Sequence, residues 1–257
     1  MRENALFDLH VHTKYCDGEG TPDEIVRAAI DKGLEAIGFS GHSYTAFDEE
    51  VCMTRKGTDR YEERVRQAAK DYADKIRVFC GIEQDYYSEE PTDRWDYVIG
   101  SVHYVRVRNA NGEPAYPSVD ETPQLFEEAV EKYFGGDVYA FAEAYYDVLS
   151  DVVRKTGADI IGHFDLITKF NAGGENGGKG RFFDESHPRY VAAWQKAADK
   201  LLETGAVFEI NFGGMNRGSR MEPYPSRPII EYLDARGGKF ILSSDSHNAS
   251  TLACWNR

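Results

Sequence analysis

Seven short apolar segments in this chain each run into a metal-binding side chain or an acid and amide pair, and helix-like stretches separate them. They span residues 7–12, 37–42, 78–83, 98–103, 160–163, 207–211 and 240–247. The first and last carry two such residues apiece, His10-x-His12 and Asp245-x-His247. Side chains two apart on a strand face the same way, so segment 7–12 is expected to send Asp8, His10 and His12 to one side and Phe7, Leu9 and Val11 to the other. Both imidazoles then look into one cavity. Six of the seven histidines sit at such segment ends, and a barrel of parallel strands gathers its C-terminal strand ends into one mouth.

The intervening stretches read as helices. Thr21-Pro22-Asp23-Glu24 supplies an N-cap, a proline at the first helical position and first-turn acids, followed by Ile25, Val26, Ala29 and Ile30 at helical spacing and a stop at Gly33. Further helices are expected over 59–73, 139–155, 187–204 and 226–235, the last two closed by Gly205 and Gly237. Strand and helix alternating in this order specify a parallel sheet with right-handed crossovers, here an α/β barrel of seven units. Residues 104–138 and 171–186 break the rhythm as a long insertion and a glycine-rich loop, positions that shape substrate access. Only ten residues follow His247, too few for a helix of normal length. The barrel is therefore expected to be open there or the chain cut short.

The 257 residues contain no linker-like tract, so one domain over 1–257 is expected. No apolar run approaches the roughly 18 residues that span a bilayer, and removing a leader of 15 or so would delete His10 and His12. A cytoplasmic protein without membrane contact is expected. The net charge of -14 disfavours a nucleic-acid partner, while bound divalent cations would still admit a small anion. Cys16, Cys52, Cys80 and Cys254 form no C-x-x-C pair and read as reduced thiols. Nothing in the sequence specifies an oligomeric state.

His10-x-His12, Asp17, Ser40-Gly41-His42, Gly81-Ile82-Glu83, Ser101-Val102-His103, Gly162-His163-x-Asp165 and Asp245-x-His247 together resemble the polymerase-and-histidinol-phosphatase (PHP) family of metal-dependent phosphoesterases. Three stretches are most similar to its histidinol-phosphate phosphatase branch: Tyr15-Cys16-Asp17-Gly18; residues 162–170, containing His163, Asp165 and Lys169; and Glu209-Ile210-Asn211 followed by Glu222-Pro223-Tyr224-Pro225-Ser226. The resemblance implies a distorted (β/α)7 barrel and removal of phosphate from L-histidinol phosphate, late in histidine synthesis. It also implies three metal ions: one on His10, His12, Glu83 and Asp245; a second sharing Glu83 and adding His103 and His163; a third on Asp17, His42 and His247.

A mixed imidazole and carboxylate set suits zinc, manganese or iron better than magnesium or calcium. Nine such side chains without metal would be a costly surplus of buried polar groups. Glu83, Asp245 and His247 are the expected catalytic residues. A phosphate dianion also calls for guanidinium contacts, for which Arg181, Arg217 and Arg220 are candidates, with Asn211 nearby. The family's Gly-Leu-Arg is replaced here by Gly214-Met215-Asn216, with Arg217 next. Glu222 and Asp165 are expected to meet the substrate's cationic groups, and Tyr104 and Tyr116 to cover its imidazole. Asp8, Asp165 and Glu209 are also candidates to support the ligands from behind, and His187 is assigned to the surface. The alternatives are a PHP-type phosphoesterase for nucleotides or phosphotyrosine, an amidohydrolase-like metal hydrolase, and a non-catalytic metal-binding module.

Overall fold

Parallel pairing starts at the first segment. Strand β1 (Phe7–Asp8) lies beside β2 (Ala36–Phe39), and β2 beside β3 (Arg77–Cys80). After Gly81 the chain continues as β4 (Ile82–Asp85), which pairs with β5 (Val98–Ser101) instead. An antiparallel hairpin, β6 (Val107–Arg108) and β7 (Pro114–Ala115), follows. Then β8 (Ile160–Ile161), β9 (Val207–Asn211) and β10 (Lys239–Ser243) extend the parallel sheet in the order β4, β5, β8, β9, β10. The structure, a computed structural model, describes residues 6–172 and 180–256.

Two joins bring the sheets into a ring of seven staves. Val11 bridges Ser246 in parallel, with His12 N donating to Ser246 O at 2.9 Å and Ser246 N to His10 O at 3.1 Å. His42 bridges Glu83, with Glu83 N donating to Gly41 O at 3.1 Å. The switch between β3 and β4 has a steric cause. Tyr97 fills the barrel base and donates its hydroxyl to Leu9 O at 2.6 Å, with Phe39 O 3.0 Å away. A Cβ on Gly81 would fall 2.4 Å from that ring, so only glycine lets the strand pass. Ile99 and Ile160 share this inner layer with Tyr97.

The helices are α1 (Pro22–Asp31), α2 (Arg55–Asp71), α3 (Pro123–Phe134), α4 (Val138–Leu149), α5 (Val152–Thr156), α6 (Pro188–Leu202), α7 (Gly213–Asn216) and α8 (Arg227–Asp234). Thr21 and Glu24 close the capping box that starts α1. Helix α2 begins four residues before position 59 because Thr54 caps it, accepting from Gly57 N at 3.0 Å. The stretch 139–155 is two helices, interrupted at Ser150 and Asp151. The insertion carries more structure than a loop: Thr122 and Pro123 start α3, whose Phe126 packs on Phe141 of α4 at 5.3 Å. In the loop expected over 171–186, residues 173–179 lie outside the described residues. Asn171 anchors its far end, accepting from Phe182 N and Phe183 N at 2.9 and 3.1 Å.

The ring is not left open after β10. Residues 249–256 form two short 3-10 turns, and Leu252 and Ala253 are buried beside Val26 and Ala29 of α1. Ala253 N donates to Asp8 Oδ2 at 3.0 Å, and Asp8 also accepts from Ser244 N at 3.1 Å. Strand pairing closes the ring, and short turns, in place of a helix, cover its outer side. Among the described residues, no helix is long and apolar enough to cross a membrane.

Candidate metal centre

All nine expected ligands meet at the C-terminal mouth of the staves. Glu83, buried in β4, is their hub. Its Oε2 lies 3.2 Å from His10 Nε2, 3.4 Å from His12 Nε2 and 3.1 Å from His42 Nδ1. Its Oε1 lies 2.9 Å from His163 Nε2 and 3.4 Å from His103 Nε2, and accepts from Ser101 Oγ at 2.7 Å. Asp245 Oδ1 approaches His12 Nε2 at 3.4 Å and His10 Nε2 at 3.8 Å. Asp17, on the turn after segment 7–12, places Oδ1 3.2 Å from His12 Nδ1 and Oδ2 2.8 Å from His247 Nε2.

Three groups of these residues have ligand atoms within 4.8 Å of one another: His10, His12 and Glu83; His42, Glu83 and His103; and His12, Asp17, His42 and His247. The groups overlap, with His12, Glu83 and His42 each in two of them. His42 turns Nδ1 to Glu83 and Nε2 to Asp17 (3.6 Å), joining two groups. His12 likewise faces Glu83 and Asp17, while Asp245 and His163 flank the groups.

Charge in the cluster is set by mutual neutralisation. Burial would raise the Glu83 carboxyl, but His42 and His10 hold it well below the ordinary carboxylate range. Burial likewise opposes ionisation of Asp245, and Arg217 and His10 overcome it. Burial would lower His10, yet Glu209, Glu83 and Asp245 raise it well above 6.5. His103 is raised by Asp85 and Glu83 against burial, and His42 by Glu83 and Asp17. His12 goes the other way, lowered by burial and by His247, and its buried Nε2 has no hydrogen-bond partner. Such a donor set, with an orphaned imidazole nitrogen aimed at two carboxylates, fits divalent cations that replace protons among the ligands.

Other side chains orient the ligands. Glu209 Oε1 meets His10 Nδ1 at 2.5 Å, and its Oε2 accepts from His163 N at 2.8 Å. Asp85, which sequence reasoning missed, places Oδ2 3.2 Å from His103 Nδ1. Asn211 spends its amide on Glu209 Oε2 (2.9 Å) and Asp245 Oδ2 (3.3 Å). Asp165 lies away from the cluster, accepting from Ser226 N at 2.9 Å and so pinning the β8 end to the start of α8. His187 caps α6 and stacks on Tyr139, 3.9 Å between centroids.

A cavity of about 340 Å³ opens beside the ligands, lined also by Asp48, Tyr104, Asp120, Lys169 and Arg217. Arg217 Nη2 donates to Asp245 Oδ2 at 2.9 Å, and Nη1 lies 3.0 Å from His247 Nδ1. Of the other candidate substrate contacts only Tyr104 is among its lining residues; Asn211, Asp165, Arg181, Arg220, Glu222 and Tyr116 are not. Arg181 is exposed and lies over the Phe182 ring, 4.8 Å from its centroid. Arg220 is buried against Thr168 and Tyr224, and Glu222 is exposed, 3.5 Å from Arg220. Tyr104 reaches the cavity and donates to Asp48, whereas Tyr116 stacks on Phe47 at 4.0 Å. Lys169 was missed as a site residue, although it lies within the motif quoted around His163.

Seven parallel staves with an imidazole and carboxylate cluster at their C-terminal mouth define an α/β-barrel metal-binding protein. The PHP domain model matches residues 8–212, and the chain belongs to the PHP family. It is 28% identical over 254 residues to the "Probable histidinol-phosphatase" of Deinococcus radiodurans, covering 95% of this chain and 86% of that one. Its identity to the histidinol-phosphatase of Bacillus subtilis is 26%, covering 95% and 94%. The fold resembles that of histidinol phosphate phosphatase from Lactococcus lactis, crystallised with zinc, L-histidinol and phosphate. The TM-score is 0.65 at 21% identity, covering 95% of this chain and 87% of that one.

Proposed function

We propose that this chain is a cytoplasmic, metal-dependent phosphomonoesterase that hydrolyses L-histidinol phosphate to L-histidinol and phosphate. The observation that carries the reading is the hub at Glu83: one buried carboxylate facing His10, His12 and His42 through one oxygen and His103 and His163 through the other. The named relatives over nearly the whole chain supply the substrate.

Glu83 would bridge two ions, with His10, His12 and Asp245 on one side and His103 and His163 on the other. Asp17, His42 and His247 would hold a third. Zinc, manganese or iron bound there supplies Lewis-acid polarisation of the phosphoryl group and acidification of a water molecule. The protein's share is orientation and charge. The Glu209 carboxylate favours the His10 tautomer that carries its proton on Nδ1, leaving Nε2 free to ligate. Asn211 and Arg217 fix Asp245 from behind, and Arg217 at the cavity offers its fork to phosphate oxygens. In this reading Arg220 and Glu222 buttress the wall, and Asp48, Glu50 and Glu121 give the mouth an acidic lining suited to a cationic substrate body.

Metal analysis and phosphomonoester assays on one sample purified without chelator test the reading. The expected result is up to three equivalents of transition metal and phosphatase activity that is lost on stripping and restored by manganese, zinc or iron. Less than one equivalent, with no activity restored, contradicts it.

A further inference from the structure

Lys169 and Asp120 form an ion pair on the cavity wall, 3.0 Å from Nζ to Oδ2. Asp120 is placed there because Val119 N bonds His103 O at 2.9 Å, and Ser118 Oγ holds its other oxygen at 3.2 Å. Lys169 is placed by the turn after β8, where its N donates to Leu166 O at 2.8 Å. Burial alone would raise the Asp120 carboxyl, but Lys169 and His103 bring it down to about 2, so it is ionised at neutral pH. Lys169 is the one lysine among the described residues lining the cavity, where Arg217 is the other cation-bearing long side chain.

The position of this pair creates a conflict for simple ligands. A phosphate alone that recruits Lys169 strips Asp120 of its partner and meets its charge. An ammonium alone that recruits Asp120 leaves Lys169 unpaired. A single molecule bearing both groups replaces one ion pair with two: the phosphate and ammonium of a 2-amino-alcohol phosphate lie only a few bonds apart, and Lys169 Nζ and Asp120 Oδ2 lie 3.0 Å apart in space. We propose that the Lys169–Asp120 pair is an exchangeable latch, in which substrate phosphate takes Lys169 and substrate ammonium takes Asp120, so that the two ends of an amino-alcohol phosphate bind cooperatively. The inference rests on the phosphomonoesterase reading and names the residues that would recognise the two ends of its substrate.

Calorimetric titration of metal-loaded protein with inorganic phosphate, with and without saturating L-histidinol, measures the coupling without turnover. The expected result is a phosphate Kd lowered about tenfold or more by L-histidinol, within the usual range of coupling between sites. A deaminated analogue of L-histidinol should produce no such shift. In Asp120→Asn and in Lys169→Met the ratio should fall to near one at unchanged metal content. A merely structural pair would weaken each ligand and leave the ratio alone. Two variants on opposite partners guard against a folding defect in either. Wild-type coupling near one, or coupling retained in both variants, overturns the latch. Failure of the wild type to hydrolyse any phosphomonoester would instead overturn the phosphatase reading, since the calorimetric ratio is read independently of turnover.

Discussion

Glu209 Oε1 lies 2.5 Å from His10 Nδ1, and both side chains are buried at the barrel mouth, on staves separated by β10. Glu209 is not a candidate ligand. Its effect is to aim the opposite nitrogen of His10 at Glu83, 3.2 Å away.

Glu209→Gln should therefore weaken metal binding by about 10- to 100-fold, the usual cost of losing such a partner. Metal content after dialysis against graded chelator reads this directly. Wild-type retention would show that His10 needs no carboxylate behind it.

Glu83→Gln should damage kcat more than Asp17→Asn. Glu83 faces His10, His12, His42, His103 and His163, whereas Asp17 faces His12, His42 and His247 at the more exposed edge. Equal losses at matched metal loading would make the third site as central as the bridged pair.

Arg217→Ala should lower kcat/KM by roughly tenfold to a hundredfold, since a charge-assisted contact is worth about 1.5 to 3 kcal/mol. Arg181→Ala should be close to neutral, because its exposed guanidinium lies over Phe182 and not among the cavity's lining residues. The reverse ranking in steady-state assays would move the phosphate contact to the glycine-rich segment.

In metal-free protein, His10, His42 and His103 titrate above 6.5 in the folded state because buried carboxylates face them. A raised folded value stabilises below the unfolded pKa, and that contribution is lost as pH rises through the folded value. His12, shifted down, has the opposite sign. The Tm of stripped protein should accordingly fall as pH rises above 6.5, while that of loaded protein should not, since ligands bind metal deprotonated. Scanning calorimetry checks both curves. A stripped protein that gains stability above pH 6.5 would show that the imidazoles are neutral without metal.

Much of the mouth was legible because strand geometry is local. Period-two spacing puts His10 and His12 on one side wherever the strand ends. The helix over Pro123–Phe134 was missed although Thr122 and Pro123 carry its start signal, because the surrounding prolines and Asn109-Ala110-Asn111-Gly112 read as loop. Loop arginines could not be ranked from sequence. Arg217 and Arg220 are three residues apart, yet Thr168 and Tyr224, distant in the chain or beyond a turn, draw one inward while Asp245 draws the other to the cavity. Asp85 and Lys169 were overlooked because their roles depend on which neighbours the barrel brings to His103 and Asp120.

The central claim is most directly tested by kcat/KM for L-histidinol phosphate, nucleoside monophosphates, phosphotyrosine and p-nitrophenyl phosphate, measured on one metal-loaded sample. An acidic cavity that also holds Lys169 and Arg217 suits a substrate with a phosphate at one end and cations at the other, and remote contacts raise specificity when they favour the transition state. The account predicts a kcat/KM for L-histidinol phosphate well above the other three. Equal values for all four, or a clear preference for a nucleotide, would contradict it.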